Sequence, residues 1–309
     1  MAADRSAMTF RWTGAVDTVF QKGTNWDDEN GDAHNVLNYP GYDGVAPNTG
    51  NIDGDTVLFD QAVTNAPAGV DNSSKGALAA LKVTAAYDKA IASSGIYLTV
   101  NMQTTGKVII DAPAAGNIYL AGAGAQGLIN ALILNSKSGS IIYLGGVIGT
   151  VNPLKGTVTL AATAVLGTAL NIGYINSRTG DVVLVITAGA TLPSAVDCNG
   201  GTITGNVAIT TLRLNGGLWT QVAGNITTLI SNTGKFTWTA GNITTAYVNG
   251  GELDGSGSIA ARTITTMYFY KGAKVNLNNN VDTITVSNLY PMTSDLTGLQ
   301  IIPGKKLVV

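Results

Sequence analysis

Glu252 and Asp254 stand two residues apart in Gly-Glu-Leu-Asp-Gly. Residues i and i+2 of a strand share a face, so both carboxylates would point the same way. Paired carboxylates are the equipment for cleaving a glycosidic bond. Their setting argues against that use. Neither neighbouring repeat carries an acid there (Lys235 and Phe236 below, no matching acid above), and Asp282 and Asp295 stand alone. No catalytic residue is therefore expected. The run Asp27-Asp28-Glu29-Asn30-Gly31-Asp32 offers oxygen ligands of the kind calcium takes, but it lacks the order D-x-[DN]-x-[DN]-G. A solvated acidic loop is expected there, with no metal. The single cysteine, Cys198, and single histidine, His34, rule out a disulfide within the chain and speak against a zinc cage. Cys198 reads as a small buried hydrophobe. Ala121-Gly122-Ala123-Gly124 lacks the strand–GxGxxG–helix setting of a nucleotide site, so no cofactor is expected.

Two further sets of residues recur at intervals. Tyr97, Tyr119 and Tyr143 each follow an isoleucine and precede a leucine, at spacings of 22 and 24. If the aliphatic neighbours point inward, the rings line the outside. They would then form an oligomer interface or a sugar-binding face, or simply pack on one another; the interface is the expectation. Ile-Thr-Thr occurs at 209, 226, 243 and 264, with Ile284-Thr285 after it. Outward threonine rows could order water, but adjacent threonines turn only one hydroxyl outward, and the spacing drifts from 17 to 21. Plain β-propensity accounts for them.

The elements that carry these residues are short and repeated. "GNITTLISNTGKFTWTAGNITTAYVNGGELDG" says nearly the same thing twice, 17 residues apart. A turn ladder runs in step with the threonine ladder: Asn199-Gly200-Gly201, Asn215-Gly216-Gly217, Asn232-Thr233-Gly234, Asn249-Gly250-Gly251. Two positions after each turn come Ile203, Trp219, Phe236 and Leu253. Corners need positive φ, which Gly accepts freely and Asn at low cost, and stacked asparagines can bond to one another. A period of 17 to 24 without a leucine-rich or helical pattern predicts stacked β-coils. The expected fold class is all-β, a right-handed parallel β-solenoid (β-helix) over 81–309. Residues 1–60 form an N-terminal cap or docking segment, and 61–80 a loop or linker. A solenoid end exposes strand edges and needs such a cap. Trp12 and Trp26, both in that segment, are assigned to an interface with Tyr97, Tyr119 and Tyr143.

Composition agrees. Of 309 residues, 45% are hydrophobic, 12% charged and 39 are glycine. That mixture favours β-branched strands broken by Gly/Asn turns over helix. With 17 basic and 19 acidic residues, net −2, nothing would hold a phosphate backbone, so no nucleic-acid partner is expected. No apolar run reaches the roughly 18 residues of a membrane span. The first 14 residues lack a basic segment followed by an apolar one, which predicts synthesis in the cytosol without export.

Trp12-Thr13-Gly14, Asn25-Trp26, Pro47 and Gly54-Asp55-Thr56-Val57-Leu58-Phe59 follow the pattern W-x-G … N-W … P … G-D-x-V-x-F. This resembles the opening of autotransporter-type passenger domains, surface-exposed right-handed β-helices built of strand repeats. The ending IIPGKKLVV supplies at most two strands, far short of a translocator barrel. The resemblance, with no export signal, implies the same kind of module as used in phage particles. The expectation is a non-enzymatic virion protein, a capsid decoration (cement) or a head or tail fibre protein. It would be a homotrimer made in the host cytoplasm and docked on a capsid or tail protein. Two alternatives are a cell-surface adhesin binding glycans through outward aromatics, and a polysaccharide lyase or hydrolase using Glu252 and Asp254.

Overall fold

The computed structural model describes residues 7–16, 18–28, 38–43, 50–51, 53–67, 76–112, 115–123, 129–136, 141–172, 182–257, 260–278 and 284–300. Pro47, His34, Glu29 to Asp32 and Asp282 lie outside them. Among the described residues the chain is nearly all-β; its one helical element is the single 3-10 turn Gly23–Asn25. The contacts divide it into two compact units, Met1–Gly167 and Thr168–Val309.

In the first unit parallel strands align apolar residues into columns. Phe10 faces Val57, Val57 faces Leu81, Leu81 faces Val108, Val108 faces Ala131, and Ala131 faces Val151. All six are buried. A second column, Leu98, Leu120, Leu144 and Leu160, is fully buried and also in register. Strand Leu78–Val83 begins before the expected linker ends, and it pairs parallel with Thr56–Phe59. The N-terminal segment is thus continuous with the stack it covers.

The residues of the 12–59 pattern build that cover. Strand Thr9–Trp12 runs antiparallel to Trp26–Asp28, with Trp12 opposite Trp26. Trp12 Nε1 donates to Asn65 O at 2.8 Å, and Asn65 Nδ2 donates to Gly14 O at 2.7 Å. Gly14 has φ +54, and a Cβ there would lie 2.3 Å from Asn65 O, so only glycine fits. The Asn25 side chain accepts from Val16 N and donates to Val19 O, both at 3.0 Å. Asp55, fully buried, accepts from Met8 N at 2.9 Å and Gly41 N at 2.8 Å. Its carboxylate ties the first strand and the small antiparallel sheet of Asn38–Tyr39, Tyr42–Asp43 and Gly50–Asn51 to the cover.

In the second unit each strand from Ile209–Ala223 onward pairs parallel with strands one repeat away. Ile226–Ser231 lies between Ile209–Ala223 and Ile243–Val248, and Lys235–Trp238 lies between Ile209–Ala223 and Glu252–Asp254. The ladders seen in the sequence are columns here. Ile203, Trp219, Phe236, Leu253 and Val275 stack in register, each at most 1% exposed. Ile209, Ile226, Ile243 and Ile264 form another. The next rung departs from the sequence reading: Ile284 faces Arg262, and Val286 faces Ile264. The interval to the true partner is 22 residues, not 20. Arg262, opposite Ile284, occupies an inward position at 2% exposure. Its guanidinium lies 4.6 Å from the Trp238 ring and donates to Gly255 O at 2.7 Å, partners a desolvated cation needs.

Candidate functional site

Strand register brings Lys235, Glu252 and Lys274 onto one line of the second unit, with Thr237, Asp254 and Asn276 on the next. Lys235 Nζ lies 2.9 Å from Glu252 Oε1 and 2.7 Å from Asp254 Oδ2. One ammonium therefore binds both members of the carboxylate pair. Asp254 also accepts from Ser256 Oγ at 2.6 Å and Ser256 N at 3.1 Å. Burial pushes the Asp254 carboxyl up, but the bonds from Lys235 and Ser256 outweigh it and hold it below its usual value. A general acid needs the opposite shift. What the arrangement does chemically is pair charges between neighbouring strands, as Arg213 and Asp197 do at 3.2 Å.

The pair carries a pH signature. A carboxylate held below its usual pKa stabilises the fold above the ordinary carboxylate range, and that stabilisation is lost as pH falls through the lowered value. Hydrogen bonds to Asp254 and Glu252 raise the Lys235 pKa, so its share is present below the ordinary lysine range and lost at higher pH. Lys235→Met should remove about 1 kcal/mol at neutral pH, given the exposure of the site. It should also flatten the decline in urea midpoint below about pH 4. A decline as steep in the variant as in the parent would contradict the coupling.

The tyrosine ladder is in register: Tyr119 faces Tyr143, between buried Ile118/Ile142 and Leu120/Leu144. Tyr119 and Tyr143 stack at 4.4 Å and 2°, while Tyr97 meets Tyr119 edge-on at 5.7 Å. Stacked rings give their faces to each other, so this row stabilises its own strands. Ile96 differs from its counterparts: it is 39% exposed and sits in the Ser93–Ile96 bridge, ahead of the strand that starts at Leu98. Trp12 and Trp26 are both 0% exposed. Their rings meet at 4.9 Å, and Phe10, Phe20 and Phe59 surround Trp26 at 6.2, 4.9 and 6.1 Å. These two tryptophans are core to the first unit and present no ring surface to a partner.

A second tyrosine row was not visible in the 17-residue repeat. Tyr247, Tyr268 and Tyr290 are in register and stack at 4.8 and 5.2 Å. Arg213 and Ile230 occupy the row's earlier positions, which hid it. Its signal is a tyrosine after an inward residue (Ala246, Met267, Leu289) at spacings of 21 and 22.

The asparagine ladder is present as side-chain bonds. Asn215 Nδ2 donates to Asn199 Oδ1 at 3.0 Å, Asn232 to Asn215 at 2.7 Å, and Asn249 to Asn232 at 2.8 Å. A parallel ladder lies at the Gly-Asn turns: Asn225 Oδ1 accepts from Asn242 N at 2.8 Å, and Asn242 Oδ1 from Thr263 N at 2.9 Å. Thr210, Thr227, Thr244 and Thr265 are exposed, and the threonine after each is only half-buried. Cys198 is fully buried. Burial pushes its thiol up to about 12, the reverse of a nucleophile. Among the described residues no three His, Cys, Asp or Glu side chains come together as metal ligands, and no helix is long and apolar enough to cross a membrane. The chain matches no family model, no curated protein and no solved structure.

Proposed function

We propose that the chain is a right-handed parallel β-solenoid serving as a non-enzymatic structural protein of a virus particle. In this reading it is a capsid decoration or a head or tail fibre protein of a phage, made in the host cytoplasm and assembled as a homotrimer. The observation that carries it is how the recurring polar and aromatic side chains are spent. Asparagine amides, tyrosine rings and the Lys235 carboxylate pair all bond from one rung to the next. Such a surface supports shape and resistance to unfolding rather than turnover. The lyase or hydrolase alternative would rest on Glu252 and Asp254, both of which Lys235 binds.

Docking to a capsid or tail lattice would use the outer loops of the N-terminal cover, where Val16 is 54% exposed, since Trp12 and Trp26 face inward. Immunogold labelling of purified source material by electron microscopy tests the proposal. Regular label on viral heads or tails is the expected result. Label on cell envelopes with bare particles would overturn it and favour the adhesin.

A further inference from the structure

Beside the ionic pair runs a groove that the structural role does not use. One cleft, of about 300 Å³, is lined by Glu252, Lys274, Val275, Asn276, Thr297 and Gly298. A second, of about 280 Å³, shares Lys274, Thr297 and Gly298 and adds Gly272, Ala273 and Asp295. Together they flank the Lys274 side chain. Each is at the small end of ligand sites, the size of one or two sugar rings.

The lining groups are unequally committed. Glu252 is neutralised by Lys235 at 2.9 Å. Asp295 accepts from Thr297 N at 3.2 Å and Thr297 Oγ1 at 2.7 Å. Asn276 Oδ1 accepts from Asn278 N at 3.1 Å, which leaves its Nδ2 as a donor. Lys274 forms no ion pair among the described residues, although Glu252 is its neighbour in register. Lys274 and Asn276 are two apart on one strand and so share a face. The groove thus offers an ammonium with no ion pair among the described residues and, on the same face of the strand, an amide donor. Glu252 and Thr297 add acceptors for hydroxyl groups.

We propose that this groove binds a carboxylate-bearing saccharide, with the carboxylate on Lys274 and Asn276 and ring hydroxyls on Glu252 and Thr297. This goes beyond the virion role and does not depend on it. The test is titration of the full chain, by NMR of the amides of 274–276 and 297–298, with digalacturonate, its neutral methyl ester and sialyllactose. Saturable shifts are expected with one or both acids, and which acid binds identifies the sugar. The ester should bind about fivefold more weakly, the scale of one exposed charge pair. Lys274→Gln should bring the acid down to the ester's level and Lys274→Arg should restore it, with unchanged circular dichroism in both. No shifts with either acid, a digalacturonate that binds no better than its ester, or an unaltered affinity of the bound acid in Lys274→Gln would overturn the proposal.

Discussion

Replacing Gly241 by alanine should cost the second unit about 2–5 kcal/mol, the sum of a left-handed backbone penalty and an overpacking penalty. Gly241 has φ +77, and a Cβ there would fall 1.8 Å from Gly224 O, one repeat below. Gly224, at φ +79, is itself pressed on Val207 and Ala208. Backbone touches backbone at this corner, so no side chain can swing away, and relief requires the rungs to separate. Gly272 supplies the control. Its φ is +84 with nothing within 4 Å of a Cβ, so Gly272→Ala should cost only the conformational term, about 1–2 kcal/mol. Hydrogen exchange of the amides in Ile226–Ser231 and Ile243–Val248 reads the difference. Protection should fall at least about thirtyfold in Gly241→Ala if these strands open as a cooperative unit. Equal losses in the two variants would mean that close stacking of the corners is not what fixes the glycine.

Trp26→Ala should destabilise the first unit by about 3–5 kcal/mol. Trp26 is at the centre of the N-terminal cover, in contact with Phe10, Trp12, Phe20 and Phe59. Its Nε1 donates to Phe20 O at 2.8 Å in a buried site. Truncation leaves a cavity and an unsatisfied carbonyl. The loss should spread, because strand Thr56–Phe59 beneath it pairs directly with Leu78–Val83, whose edge would open. The near-ultraviolet dichroism should collapse, and the variant should aggregate at temperatures the parent tolerates. Trp26→Phe keeps most of the packing and should lose much less. A Trp26→Ala protein as stable as the parent would show that the cover does not hold the stack closed.

Much of this architecture could be read from residue types. The Ile209/Ile226/Ile243/Ile264 column, the Ile203/Trp219/Phe236/Leu253 column and the asparagine ladder were legible because stacking demands like residues at a fixed interval. The 12–59 pattern marked a cover for a different reason: Gly14 sits at a positive φ with no room for a Cβ, and the Asn25 and Asp55 side chains bond backbone groups of the cover. Three features were hidden. Ile284 pairs with Arg262, which sits inward over Trp238, and nothing in an arginine's type announces a core position. Tyr247, Tyr268 and Tyr290 share a row with Arg213 and Ile230, since outward positions are free to vary. The reach of Lys235 to both Glu252 and Asp254 was hidden too, since the sequence places it one repeat away without showing where its ammonium lies.

The claim beneath all of these is that the 17-residue repeat stacks in register. Nitroxide labels at Thr228→Cys and Thr245→Cys test it directly, because these positions face each other on adjacent parallel strands, about 4.8 Å apart along the sheet. Cys198, fully buried with its thiol pushed up to about 12, does not compete for the label. Strong dipolar broadening of the electron paramagnetic resonance spectrum is the predicted result, with little or none in a Thr228→Cys/Lys271→Cys control whose positions do not pair. A doubly labelled 228/245 protein whose spectrum equals the sum of its single-label spectra would contradict the stacked register, and with it the reading of this repeat as a device for shape.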